Sequence, residues 1–179
     1  KLFVSGNSYA GTKKTRFSVV RYGNVVNSRG SVIPFFKKLK GTGSLPITDP
    51  AMTRFWITLE QAVQFVVDGL DRMKGGEIFV PRIPSMRLTD LANAIAPKCK
   101  QKIVGIRPGE KLHEIMVTED DARRTLEFDA YYIIQPDFPW WDEKALTKGK
   151  PVPERFRYSS DTNPHFLTPK ELLKLVDAP

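Results

Sequence analysis

Short apolar runs and helical repeats of apolar residues alternate along the chain. Runs rich in β-branched and aromatic residues predict buried strands, because such residues favour an extended backbone. We expect these strands at residues 17–22, 45–48, 54–57, 77–80, 102–106 and 131–134. Apolar residues at helical spacing predict helices at residues 31–39, 58–74 and 89–96 and from 168 onward. The alternation of the two kinds of element is typical of an α/β protein.

Residues that can cap a helix stand at the predicted starts. Ser31 can cap the helix that follows it, and Pro34 is tolerated in its first turn because that amide would be unpaired anyway. Thr58 and Gln61 have the spacing of a capping box. A further helical turn is expected at residues 111–116.

The two ends of the pattern are less regular. From residue 119 to 164 the chain is rich in proline and aromatic residues, and one strand is predicted there. The first residues, Lys1-Leu2-Phe3-Val4, are typical of the last turn of an amphipathic helix. We therefore expect this chain to be a piece of a longer protein.

Charge and composition narrow the class of protein. The 179 residues carry a net charge of +8, which favours phosphate-bearing partners. The basic residues are scattered rather than gathered with aromatic residues along one stripe, so a nucleic-acid-binding module is the weaker interpretation. No run approaches the ~20 apolar residues of a membrane span, and we expect no membrane partner. The single cysteine, Cys99, cannot form an intrachain disulfide, which favours a reducing, cytoplasmic location.

Residues 21–31 carry more polar specificity than packing requires. They form the end of a predicted strand, a loop and a helix start, which is where α/β sheets place ligands and where free backbone amides can donate to an anion. Asn24 is the side chain best placed to contact a ligand. An ordinary turn asparagine remains equally compatible with the pattern.

A second polar segment spans residues 105–114. Arg107 follows a predicted strand and can grip a phosphate with its planar fork, while Glu110 can accept hydrogen bonds from ribose hydroxyls. Arg54, within an aromatic strand, is a third candidate for binding an anion, although an internal carboxylate would serve equally as its partner. His113 and His165 are far apart in sequence, so neither a metal site nor a catalytic triad is predicted.

Five ordered motifs together resemble one enzyme family. They are Arg21-Tyr22-Gly23-Asn24-Val25, Ser28-Arg29-Gly30-Ser31-Val32-Ile33-Pro34-Phe35-Phe36, Met52-Thr53-Arg54-Phe55-Trp56-Ile57-Thr58, Gly76-Glu77-Ile78-Phe79-Val80-Pro81 and Arg107-Pro108-Gly109-Glu110-Lys111-Leu112-His113-Glu114. They resemble the C-terminal half of the inverting UDP-N-acetylglucosamine 4,6-dehydratases. These are extended short-chain dehydrogenase/reductases of the polysaccharide biosynthesis group.

This resemblance implies a fold and a division of the chain. The implied class is α/β, the C-terminal part of a Rossmann-type extended dehydrogenase/reductase with a small mixed sheet and helices. Residues 1–30 would be the tail of the Rossmann-type core, and residues 31–179 the UDP-sugar-binding subdomain. The cofactor-binding N-terminal half would be absent, in keeping with the lack of any G-x-G-x-x-G motif.

The resemblance also implies a reaction. In this family NADP, or NAD, takes a hydride from C4 of the sugar, water leaves across C5 and C6, and the hydride returns at C6 with inversion at C5. The product feeds pseudaminic acid and related bacterial sugars. The catalytic Tyr and Lys would lie upstream of this chain, so the chain alone should be inactive. We expect a UDP-sugar substrate, the missing N-terminal half and a homo-oligomer as its partners, and no nucleic acid.

Individual site residues follow from the same resemblance. The resemblance implies that substrate is bound by Asn24, Ser31, Val32, Pro46, Thr48, Arg54, Arg107 and Glu110. It implies that the cofactor lies along Tyr22, Gly23, Asn24 and Val25. Asn27 departs from the pattern, because the family is expected to have glycine there. Retaining dehydratases and UDP-sugar 4-epimerases or reductases remain alternatives, since they share the diphosphate clamp.

Overall fold

The structure is a computed structural model. It describes residues 2–11, 13–138, 141 and 148–177. The chain forms two compact units whose segments alternate along the sequence. The first unit comprises Lys1–Tyr22, Ala62–Arg82 and Ile115–Tyr158, and the second comprises Gly23–Gln61, Ile83–Glu114 and Ser159–Pro179. The predicted division at residue 30 is not a boundary between these units. That residues 1–30 and residues 31–179 have different functions stays a prediction.

The described residues contain helices, 3-10 turns and short strands. The helices are α1 (Leu2–Ser5), α2 (Val32–Leu39), α3 (Leu59–Arg72), α4 (Leu88–Ile95), α5 (Glu119–Ala122) and α6 (Pro169–Asp177), with 3-10 turns at Gly6–Tyr9 and Lys40–Thr42. The strands are β1 (Val19–Val20), β2 (Asn24–Val25), β3 (Ser44–Ile47), β4 (Thr53–Ile57), β5 (Ile78–Pro81), β6 (Ser85–Arg87), β7 (Lys100–Ile103), β8 (Ile115–Val117), β9 (Thr125–Glu127), β10 (Tyr131–Ile134), β11 (Lys150–Pro151) and β12 (Tyr158–Ser159).

The first unit is built on a sheet in the order β1-β5-β10-β9-β11. Strand β1 pairs in parallel with β5, and the other neighbours pair antiparallel. Strands β5 and β10 lie inside this sheet, and their apolar residues Phe79, Val80 and Ile133 are buried. A continuous apolar run is typical of such an interior strand.

Among the described residues, the second unit contains two small sheets, helices α2, α4 and α6, and the first residues of α3. Strand β4 lies between β2, to which it is parallel, and β6, to which it is antiparallel, while β3 pairs in parallel with β7. Helix α4 packs against both α2 and α6. These elements enclose one apolar core whose largest fully buried side chains include Phe36, Leu45, Trp56, Leu91 and Leu172.

Helix signals in the sequence are confirmed in part. The capping box before α3 is formed, since the Thr58 amide donates to Gln61 Oε1 (3.0 Å) and the Gln61 amide donates to Thr58 Oγ1 (3.2 Å). Ser31 is the N-cap residue of α2 and has an extended backbone, but its side chain makes no capping hydrogen bond. The helix end predicted at the start of the chain corresponds to α1, and Lys1 lies outside the described residues.

The helical turn predicted at residues 111–116 is wrong. The carbonyls of Lys111 and Leu112 accept hydrogen bonds from the Arg54 guanidinium at 2.8 Å and 3.0 Å. The Leu112 carbonyl also accepts from the Thr53 amide. These hydrogen bonds hold residues 111–112 against β4, and the structure has no helix at residues 111–116. Strand β8 begins at Ile115 instead.

Helix α3 exposes much of the apolar repeat by which it was predicted. Ala62 is buried, but Leu59 (65%), Val63 (54%), Val66 (38%), Val67 (47%) and Leu70 (64%) are exposed. We call these five exposed residues the α3 stripe. They share one side of the helix, because Leu59, Val63, Val66 and Leu70 are three, four, seven or eleven residues apart, and Val67 lies four residues after Val63 and three before Leu70. None of the helices among the described residues is long and apolar enough to cross a bilayer.

Candidate functional site

A cavity of about 640 Å³ lies within the second unit. All the residues predicted to bind substrate line it: Asn24, Ser31, Val32, Pro46, Thr48, Arg54, Arg107 and Glu110. The other lining residues are Val25, Ser28, Gly30, Phe35, Phe36, Met52, Trp56, Leu88 and Val104. The structure therefore gathers into one site residues that the sequence spreads over more than 80 positions.

Strands β2 and β4 place Asn24 in the cavity wall. Asn24 lies opposite Trp56 in their parallel register, and the ladder continues where the Val26 amide donates to the Ile57 carbonyl at 2.9 Å. Of the residues predicted to contact the cofactor, Asn24 and Val25 line this cavity, whereas Tyr22 and Gly23 do not.

Asn27 explains how the loop after β2 tolerates a departure from the family pattern. Its φ is +57°, in the left-handed region that glycine adopts most readily. Asparagine is one of the few other residues that visit this region routinely. Asparagine therefore adopts here a backbone conformation that glycine would also adopt readily.

Arg54 occupies the wall of the cavity but gives most of its donors to its own chain. Its NH1 group donates to the carbonyls of Thr53 (2.7 Å) and Leu112 (3.0 Å). Its NH2 group donates to the Lys111 carbonyl (2.8 Å) and to Met52 Sδ (3.1 Å). The side chain is 14% exposed. Arg54 thus ties residues 111–112 to β4 while its positive charge remains at the cavity.

The sequence left two kinds of partner open for Arg54, an anionic ligand and an internal carboxylate, and the structure is compatible with both. Two carboxylates lie 3.8 Å from its guanidinium, Glu110 beside NH2 and Glu114 beside Nε. Glu110 lines the cavity as well. Internal carboxylates therefore accompany Arg54 at the wall of a site large enough for a ligand.

Arg107 and Glu110 are set by a tight turn. Gly109 has φ +79°, a conformation that glycine adopts without steric cost. The Glu110 amide donates to the Arg107 carbonyl (3.0 Å), and the Arg107 amide donates to Glu110 Oε2 (3.2 Å). Arg107 is exposed, and its guanidinium has no hydrogen bond or ion pair with any residue that the structure describes. It is the arginine of the wall whose donors are free for a ligand.

Two buried polar atoms lie in residues that line the cavity. Ser31 Oγ and Trp56 Nε1 have no hydrogen-bond partner among the described residues. A buried donor or acceptor without a partner costs about 1–3 kcal/mol, and native proteins contain few of them. The cavity wall therefore contains polar atoms whose hydrogen-bonding capacity the described residues do not satisfy.

Comparison with known proteins identifies the family. A family model described as polysaccharide biosynthesis protein matches residues 1–136. The chain belongs to this polysaccharide biosynthesis family. The predicted family is therefore confirmed.

Curated relatives of this family member include two kinds of sugar-nucleotide enzyme. The chain is 56% identical over 186 residues to the inverting UDP-N-acetylglucosamine 4,6-dehydratase of Campylobacter jejuni, with 99% of the chain and 56% of the relative covered. It is 36% identical over 142 residues to the UDP-glucose 4-epimerase of Rickettsia canadensis, with 76% of the chain and 42% of the relative covered. The chain thus spans about half the length of the curated relatives it matches.

Solved structures confirm the predicted α/β fold class. The chain superposes on the structure of Pen from Bacillus thuringiensis with a TM-score of 0.83 at 32% identity. The superposition covers 98% of this chain and 53% of Pen. The chain also superposes on an NAD-dependent NDP-hexosamine 5,6-dehydratase of tunicamycin biosynthesis, with a TM-score of 0.52 at 16% identity, covering 96% of this chain and 48% of that one. The second likeness is one of fold alone.

The sequence did not single out every residue of the site. Trp56 lines the cavity, and its position could have been inferred because it lies two residues beyond Arg54 on the same strand and so shares its face. Met52 and Leu88 also line the cavity, but no local signal separates them from ordinary core residues. Among the described residues, no group of three His, Cys, Asp or Glu side chains is placed to hold a metal ion.

Proposed function

We propose that this cavity is the nucleotide-sugar site of an inverting UDP-N-acetylglucosamine 4,6-dehydratase. The observation that carries the proposal is the convergence on one cavity of all the residues expected to bind a UDP sugar, with two arginines among them. The 56% identity to the C. jejuni enzyme over 99% of the chain supports this substrate class. Retention at C5 and 4-epimerisation remain the enzymatic alternatives, the latter favoured by the Rickettsia relatives.

The charges of the wall suit a nucleoside diphosphate. Among the described residues that line the cavity, the charged ones are Arg54, Arg107 and Glu110, so the lining carries two positive charges and one negative. Arg107 would donate a charge-assisted fork to the phosphate oxygens. Glu110 would accept hydrogen bonds from the ribose, and Asn24 would contact the sugar. Pro46 and Thr48 would flank the uracil.

The site residues hold only part of what the dehydration requires. A nicotinamide cofactor would supply the hydride exchange at C4 and C6. The chain contains no Gly-rich turn between a strand and a helix that could hold its diphosphate, so these residues do not by themselves fit a dinucleotide. The cofactor, whether NADP or NAD, and the catalytic Tyr and Lys would come from an upstream half. A cytoplasmic location and a product for pseudaminic acid synthesis stay predictions.

We propose that the α3 stripe is covered by that upstream half. The chain covers 56% of the C. jejuni relative, so a comparable length of that protein is unmatched. Strand β1 lies at the end of its sheet and pairs with β5 on one side, so among the described residues its outer edge is left for a further strand. An uncovered apolar stripe favours self-association.

The stripe can be tested in the 179-residue chain. We expect this chain to self-associate in sedimentation velocity, and Val63→Lys to shift it toward the monomer. Gln64→Lys is the matched control, because it adds the same charge at the neighbouring exposed position outside the stripe. Equal association of the two variants would contradict a role for the stripe.

Calorimetric titration of the chain with UDP-N-acetylglucosamine tests the proposed function. We expect binding of UDP-N-acetylglucosamine and no binding of duplex DNA. Asn24→Ala should weaken binding of the sugar nucleotide by about 1 kcal/mol, the net value of one hydrogen bond, and leave uridine binding unchanged. Binding of DNA alone would favour the nucleic-acid-binding interpretation. Equal losses for sugar nucleotide and uridine would remove Asn24 from the sugar site.

A further inference from the structure

Glu114 stands directly behind the cavity wall and is absent from its lining. Its Oε2 accepts a hydrogen bond from the Phe55 amide at 3.1 Å, and its Oε1 lies 3.8 Å from Arg54 Nε. The carboxylate thus contacts two consecutive residues of β4. It faces Nε, the guanidinium nitrogen that donates to none of the carbonyls that NH1 and NH2 contact.

The Arg54 guanidinium is engaged at all three of its nitrogens. The NH1 and NH2 groups donate to the chain at residues 52–53 and 111–112, and Glu114 faces the remaining donor, Nε. An arginine plane held in this way cannot rotate without breaking several hydrogen bonds. The same bonds hold residues 111–112, which directly follow Glu110.

The backbone amide and the backbone carbonyl of Glu114 are both hydrogen-bonded to Ser160. Its amide donates to Ser160 Oγ (2.9 Å), and its carbonyl accepts from the Ser160 amide (2.8 Å). Ser160 Oγ also lies 2.7 Å from Thr53 Oγ1, which in turn lies 2.8 Å from His113 Nδ1. Burial raises the pKa of the Glu114 carboxyl, while the Phe55 amide and the charges of Arg54 and Lys111 oppose that shift.

We propose that Glu114 is a positioning residue of the nucleotide-sugar site, which orients Arg54 and, through it, the turn that carries Arg107 and Glu110. The inference rests on the proposed function. Glu114 does not touch the ligand. Its carboxylate holds the guanidinium in the plane that keeps one positive charge at the cavity and keeps residues 111–112 against β4.

Glu114→Gln in the 179-residue chain tests this role. Glutamine keeps the size of the side chain and an oxygen that can accept from the Phe55 amide, but it removes the charge that faces Arg54 Nε. We expect UDP affinity to fall by between about threefold and tenfold, uridine affinity to be unchanged and the melting temperature to stay near that of the parent chain. Glu60→Gln, the same change at an exposed position of the second unit, should alter none of these.

A second measurement does not need a ligand. The Nε–Hε signal of Arg54 in a ¹H–¹⁵N spectrum, assigned with Arg54→Lys, should shift in Glu114→Gln and stay in place in Glu60→Gln. Glu114→Asp, which retains the charge, should restore much of the UDP affinity and carries the comparison if the glutamine variant does not fold.

The outcomes separate this inference from the proposed function. UDP and uridine affinities that fall together would reduce Glu114 to a residue that only holds the fold, and unchanged UDP affinity would overturn its role outright. A parent chain that binds no UDP would overturn the proposed function and the diphosphate part of this inference. An Arg54 signal that does not move would overturn the orientation of the guanidinium by Glu114, whatever the ligand.

Discussion

Replacement of Arg107 by alanine is expected to weaken UDP binding by about 1.5–3 kcal/mol, the range for hydrogen bonds to charged groups. This corresponds to a rise in dissociation constant of roughly 10-fold to 150-fold. The effect should fall on binding alone, because the Arg107 guanidinium is exposed and has no partner among the described residues. Calorimetry with UDP and with uridine is the measurement, and only the diphosphate-bearing ligand should lose affinity.

A control for this prediction is available on β6. Arg87 is also exposed and belongs to the same unit, but it does not line the cavity. Arg87→Ala removes the same charge and should leave UDP affinity within about twofold of the parent chain, since distant surface charges are largely screened. If the two alanine variants bind UDP equally well, Arg107 is not a ligand of the diphosphate.

The two arginines of the wall should behave differently when each is removed. Arg54→Ala would leave the Lys111 carbonyl without its side-chain donor, the Leu112 carbonyl with the Thr53 amide alone, and the Glu114 carboxylate without the charge of Arg54. It would therefore lower stability as well as affinity, because groups left unpaired in a partly buried site carry their own cost. Arg107 is exposed on the same turn, and its guanidinium holds no other described residue in place.

Much of this fold could be predicted from local patterns. The strands at β4, β5 and β10 follow from apolar and β-branched runs, and the start of α3 follows from the Thr58 and Gln61 pair. Such signals act within a few residues, so the sequence alone carries them. Local chemistry alone nominated Asn24, Arg54, Arg107 and Glu110, and the family resemblance added Ser31, Val32, Pro46 and Thr48. The convergence of all eight on one cavity agrees with the resemblance.

The parts that could not be predicted depend on contacts distant in sequence. Residues 111–116 have the composition of a helical turn, but Arg54, almost 60 positions earlier, takes their carbonyls. The role of Glu114 arises in the same way, because its partners lie in β4 and at Ser160. The exposure of the α3 stripe could not be predicted either. A helical repeat shows that one face of a helix is apolar, but it does not show whether another element covers that face.

Replacement of Gly23 by alanine is expected to destabilise the second unit by about 3 kcal/mol, at the upper end of the usual cost of overpacking. A Cβ at this position would lie 2.5 Å from Phe55 Cβ, 2.6 Å from the Phe55 carbonyl oxygen and 2.8 Å from its carbonyl carbon. Backbone atoms cannot swing aside as the end of a flexible side chain can. Strand β2 would have to move away from β4, and Asn24, which faces Trp56 in that register, would leave its place in the cavity wall.

Thermal unfolding and UDP-N-acetylglucosamine titration of Gly23→Ala check both consequences. The midpoint should fall by about 6–12 °C for a chain of this size, and binding of the sugar nucleotide should weaken together with it. Gly41→Ala is the matched control, because a Cβ there would meet nothing within 4 Å and its backbone lies outside the left-handed region. Equal midpoints for the two variants would show that β2 can separate from β4 at little cost. Asn24 would then be held by something other than the close approach of Gly23 to Phe55.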